Sequence, residues 1–108
     1  MGLVVNRIEE GTQTRLLLKG DLDIASIQLL NDYLQTIKEH TQKLVIDLKE
    51  VDFVDSTGIG AILESIYLAN DKQIPLRIAN YNEAIEEVFE MMGIFKILEA
   101  LCIEGGEK

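Results

Sequence analysis

The sequence predicts an α/β fold, a mixed sheet of about five strands with three main helices packed on it, and three observations carry that prediction. The chain opens with two strand-like runs joined by a polar turn, the pattern of an antiparallel hairpin. Short apolar runs then alternate with segments whose apolar residues recur every three or four positions, as strands joined by covering helices require. With 108 residues, 47% of them apolar, one core can form without disulfide or metal. No repeat or linker interrupts the pattern, so residues 1–108 are expected to form a single domain with a frayed tail at 104–108.

Each element follows in order. Leu3-Val4-Val5-Asn6-Arg7-Ile8 and Thr14-Arg15-Leu16-Leu17-Leu18-Lys19 are the hairpin strands, turning around Glu10-Gly11, and Gly20 ends the second. After Asp21-Leu22-Asp23 the period becomes 3.6: Ile27, Leu30, Leu34 and Ile37 share one face of a helix whose first amides Asp23 can cap. Lys43 to Leu48 is a central strand, and Lys49 to Asp55 a loop. A second helix spans about Thr57 to Asn70, with Ile59, Ile62, Leu63, Ile66 and Tyr67 at helical spacing. Ile74 to Ala79 alternates like a strand whose proline suits its beginning or a sheet edge. Asn82 caps a third helix with Ile85, Val88, Phe89 and Met92 on its apolar face, Met91 and Met92 serving as core filler, and Gly93 stops it. Ile94 to Glu99 adds a helical turn and Ala100 to Ile103 a short last strand.

Charge and composition exclude several functions. The net charge is −9 and the ten Lys and Arg residues are dispersed, so no basic patch exists to hold a nucleic-acid backbone. Cys102 is the only cysteine, which rules out an internal disulfide and fits a reducing compartment. His40, also alone, lies among Lys38, Glu39 and Gln42 and reads as a solvated side chain; with a single cysteine it cannot complete a zinc site. No signal-like or bilayer-length apolar segment is present, and a cytoplasmic protein with no membrane partner is the expectation.

The chemistry concentrates in Val54-Asp55-Ser56-Thr57-Gly58-Ile59-Gly60, where strand gives way to helix. Ser56 is expected at the helix N-cap, accepting from the amide of Gly58 or Ile59 at a helix end that favours an anion. The glycine spacing matches neither nucleotide-binding fingerprint, and tight packing of the helix start is the plainer explanation of Gly58. A serine nucleophile would lack a base, which argues against an enzyme. Asp21, Asp23, Asp52 and Asp55 share the loops of one end; capping ranks above magnesium binding there, and neither metal nor cofactor is assigned. Asp47 at a strand end is similar to the phosphoryl acceptor of a receiver domain, but the late Lys-Pro signature is absent and the chain is one unit short.

The chain resembles the STAS domain (sulfate transporter and anti-sigma factor antagonist), in particular the stand-alone bacterial anti-sigma factor antagonists. The resemblance spans nearly the whole length. It rests on Gly20-Asp21-Leu22-Asp23, on Leu44-Val45-Ile46-Asp47-Leu48 followed by Val51 to Gly60, and on Met91-Met92-Gly93-Ile94. It implies a non-enzymatic switch: the unphosphorylated protein binds an anti-sigma factor that is also a serine kinase and so frees a sigma factor. Phosphorylation of Ser56 ends that binding, and a serine phosphatase resets the cycle. Thr57 is the rival acceptor. The implied partner surface is Asp23, Asp55, Ser56, Thr57, Gly58 and Ile59, with Gly58 and Gly60 shaping the turn; ATP and magnesium belong to the kinase. The alternative is a STAS scaffold or lipid-transport component in which Ser56 is not modified. The family's final helix has little sequence left to form it.

Overall fold

Strand order and chain order coincide in this protein. The computed structural model describes residues 3–23, 26–37, 41–101 and 104–107, of which Ile27 and 104–107 are described by backbone alone. Its five strands are β1 (Val4–Glu10), β2 (Gln13–Leu22), β3 (Lys43–Val54), β4 (Leu76–Ala79) and β5 (Glu104–Glu107), adjacent in that order in one sheet. β1 and β2 form the predicted antiparallel hairpin, turning where Gly11 adopts φ 65°; every later pairing is parallel. Helices α1 (Ser26–Gln35) and α2 (Ser56–Asp71) make the first two crossovers, and α3 (Glu83–Met91) with α4 (Ile94–Ala100) makes the third.

That order determines the layers. Each parallel step moves to the next strand on the same side, so right-handed crossovers put every helix on one face of the sheet. Leu16, Leu18, Leu44, Ile46 and Ile78 line that face and are buried against Leu30, Leu34, Ile62, Ile66 and Phe89. Tyr81, Phe89 and Phe95 pack ring against ring at 5.4–5.9 Å where α3 and α4 meet the sheet. Across the sheet, Val4 and Ile8 remain exposed.

Several boundaries depart from the sequence reading. Of the expected loop Lys49 to Asp55, all but Asp55 is the second half of β3, pairing Val51 with Gly20 and Val54 with Leu22. Irregularities between Leu17 and Lys19 and between Gly20 and Asp21 re-phase the ladder, with Gly20 at φ 107°, so the glycine bends β2 instead of ending it. The turn at Ile94 is a full helix. Of the last strand expected at Ala100 to Ile103, Ala100 ends α4 and Leu101 caps it, while Cys102 and Ile103 lie outside the described residues; β5 lies at Glu104–Glu107, so most of the expected frayed tail pairs with β4. Met91 and Met92 are not core filler: they are 84% and 48% exposed, because Gly93, at φ 73°, turns the chain so that Ile94 and Leu98 fill the core instead. His40 and Cys102 lie outside the described residues.

Candidate functional site

The end of β3 and the start of α2 are joined by one tightly determined turn. Leu22 pairs with Val54, and the next amide, Asp55 N–H, donates to the Leu22 carbonyl at 3.3 Å. This holds Asp55 extended (φ −92°, ψ −178°), as an N-cap requires. Its carboxylate accepts from Gly58 N–H at 2.7 Å, and its carbonyl accepts the first helical bond, from Ile59 N–H at 3.0 Å. The cap is therefore Asp55, one residue before the serine expected to supply it.

Ser56 is displaced to the first helical position. Its side chain is exposed and its hydroxyl makes no hydrogen bond among the described residues. Thr57 is half-buried beside it. Gly58 is fixed by space: a Cβ there would stand 2.1 Å from the Leu22 carbonyl oxygen, so α2 can sit on β2 only with glycine at this point. Gly60 faces open space and needs no glycine, which leaves only one of the two glycines shaping the turn. Ile59, expected on the partner surface, is 1% exposed and belongs to the core.

Asp23 arrives at the same edge, because Asp23 and Asp55 each follow one member of the Leu22–Val54 pair. Its carboxylate accepts from the Ser26 hydroxyl at 3.1 Å, and its carbonyl accepts from Ser26 N–H at 2.9 Å, fastening the entry to α1. The sequence thus brings Asp23, Asp55, Ser56 and Thr57 to one end of the sheet, while Gly58 and Ile59 support them from beneath. Among the described residues no three carboxylate, thiol or imidazole groups converge as metal ligands.

Asp47 is committed elsewhere. It lies inside β3, where its carboxylate accepts from Arg15 Nη1 at 2.7 Å, Lys49 N–H at 2.9 Å and Asn80 Nδ2 at 3.2 Å. A carboxylate engaged by three donors and 5% exposed is a structural ion pair of the sheet, which removes the receiver-like reading. The residue missed by sequence reasoning is Phe53, 54% exposed three positions before Ser56, on the rim of a cavity of about 150 Å3. Its signal was an aromatic side chain on the outward side of the buried pair Val51 and Val54.

Known proteins share the sequence pattern and the fold of this chain. The chain is 28% identical to the anti-sigma-B factor antagonist of Bacillus subtilis, over 82% of this chain and 83% of the relative. It is 29% identical to the anti-sigma F factor antagonist of Paenibacillus polymyxa, over 75% and 71%. The fold matches SpoIIAA of Bacillus in its phosphorylated form with a TM-score of 0.70 at 14% identity, covering 97% of this chain and 91% of that one. The unphosphorylated form of SpoIIAA matches with a TM-score of 0.65 at 16% identity, over 81% and 82%. The STAS domain profile matches residues 5–103, and the chain belongs to the STAS domain family.

Proposed function

We propose that this chain is an anti-sigma factor antagonist controlled at Ser56. In the unmodified state it binds an anti-sigma factor that carries serine kinase activity, and the sigma factor is freed. The kinase transfers the γ-phosphoryl group of ATP to Ser56 Oγ: the O–P bond forms as the bond to the β-phosphate oxygen breaks, ADP leaves, and the hydroxyl proton passes to a base of the kinase. A serine phosphatase hydrolyses the ester and restores binding.

One observation carries this reading: Ser56 is an exposed hydroxyl at the first position of a helix whose cap is already supplied by Asp55. Modifying it breaks no hydrogen bond among the described residues. The added charge of about −1.5 to −2 meets the positive end of the helix dipole, so the fold can carry it. The same charge stands beside Asp55 and three residues from the exposed Phe53, so its cost falls on whatever partner covers that end of the sheet. The names of the relatives support the partner class; the residue-level switch is our reading.

The test is incubation with the kinase and ATP followed by mass spectrometry and calorimetric titration. Phosphate is expected on Ser56, Ser56→Asp is expected to weaken kinase binding at least ~100-fold, about 2.7 kcal/mol, and Ser56→Ala to bind but never switch. Phosphate found solely on Thr57 overturns the site assignment, and undiminished binding by Ser56→Asp overturns the switch.

A further inference from the structure

The methionines that fail to enter the core mark a second surface. Ala84, Val88 and Met91 stand at i, i+4 and i+7 on α3 and so share one stripe beside its buried face. Ala84 and Val88 of this stripe line a groove with Phe53, 54% exposed, and with Asp52, Val54 and Ile85, around a cavity of about 150 Å3; Met91, 84% exposed, continues the stripe beyond it. A half-open apolar hollow of about this size accommodates a group as large as benzene. Glu83, Glu87 and Glu90 follow the next helical row along the solvent side of the stripe, with Asp52 opposite. None of these four acids has an ion-pair partner among the described residues.

We infer that this stripe docks a basic amphipathic helix of the protein's partner, with one large apolar side chain seated beside Phe53 and lysine or arginine residues facing Glu83, Glu87 and Glu90. An apolar hollow with a one-sign rim selects an apolar anchor flanked by the opposite charge. A flexible methionine, Met91, on the same helical row beyond the groove suits a helical ligand. A second copy of this chain is the poorer occupant, since a symmetric contact would set one row of glutamates against the same row, on a chain already carrying −9. The inference rests on the reading that the partner meets the chain at Ser56. Val54, which lines the groove, stands two residues before Ser56 in the chain, so a partner seated there extends toward the site of the phosphate, and the modification can oppose it without unfolding anything.

The test uses the full chain with labelled methionine and isoleucine methyl groups and a short designed helix of leucine and lysine as the probe. The Met91 and Met92 signals should move on titration, while those of buried Ile62 stay. A probe of equal charge with serine in place of leucine should move none of them. The double variant Val88→Glu, Met91→Glu, checked for native methyl dispersion, should weaken both the probe and the Ser56 kinase at least ~10-fold. Unchanged affinity for either ligand overturns the inference, as do Met91 and Met92 shifts that depend on protein concentration without probe, which would assign the stripe to self-association. Loss of kinase binding in Ser56→Asp alone, with the double variant unaffected, leaves the switch standing without the stripe. The reverse pattern leaves the stripe without the switch.

Discussion

Helices α2 and α3 begin at the same edge of the sheet with the same device, yet they are prepared for different charges. Asp55 accepts from Gly58 N–H at 2.7 Å and Asn82 from Ile85 N–H at 2.8 Å, both caps extended and both following a parallel strand. Past the cap they diverge. The first turn of α3 carries Glu83 and Glu86 behind a neutral Asn82 cap; that of α2 carries no acid beyond the Asp55 cap itself and presents Ser56 to solvent. Of the two helix starts, α2 has fewer carboxylates, one against the two of α3, and so more room for an added negative charge, the difference on which the proposed switch at Ser56 rests.

The comparison breaks most severely at Gly58. Gly58→Ala places a methyl group 2.1 Å from a backbone oxygen of β2 that cannot move without disturbing the sheet. Such overpacking against backbone should cost about 3 kcal/mol or more, read as a fall in the urea midpoint with loss of kinase binding. Gly60→Ala, two residues on in open space, should gain about 0.5–1 kcal/mol from helix propensity alone. Equal effects at the two glycines would show that α2 is not wedged on Leu22.

Removing the caps is the middle-sized test. Asp55→Ala and Asn82→Ala should each lose about 1 kcal/mol in chemical denaturation. The two should then separate in binding: Asp55→Ala loosens the turn that presents Ser56 and should lower the phosphorylation rate, whereas Asn82→Ala should leave it near wild type. A slowed rate in Asn82→Ala would mean the two helix starts act as one site.

What the sequence made legible, and what it hid, follows from where single-residue differences matter. Hairpin, helices and sheet class were readable because Leu30, Leu34, Ile62, Ile66 and Phe89 repeat at the spacing of one buried face. The second half of β3 was not, since the irregularities beside Lys19 and Asp21 put Val51 and Val54 three apart, a spacing that no regular strand shows. The position of Ser56 at the strand-to-helix turn was readable, but its role in the turn was not. Aspartate and serine are equally good caps, and only the bond from Asp55 N–H to Leu22 decides which residue stays extended. The exposure of Met91 depends on how Gly93 redirects α4, a tertiary consequence with no local signature.

The smallest effect is also the most discriminating. A negative charge at Ser56 gains about 0.3–1 kcal/mol from the α2 dipole and loses part of it to Asp55 alongside, so Ser56→Asp should lie within about 0.5 kcal/mol of wild type. On α3 the first position is already Glu83, so the comparable change is at the second, Ala84→Asp, which adds a third carboxylate to a turn that holds Glu83 and Glu86, and repulsion should make it net destabilising. Both differences should shrink as salt rises from low to molar concentration, because both charges are exposed. If Ser56→Asp destabilises as much as Ala84→Asp at low salt, the α2 terminus has no room for a charge, and a phosphate there would act by damaging the fold rather than by repelling a partner.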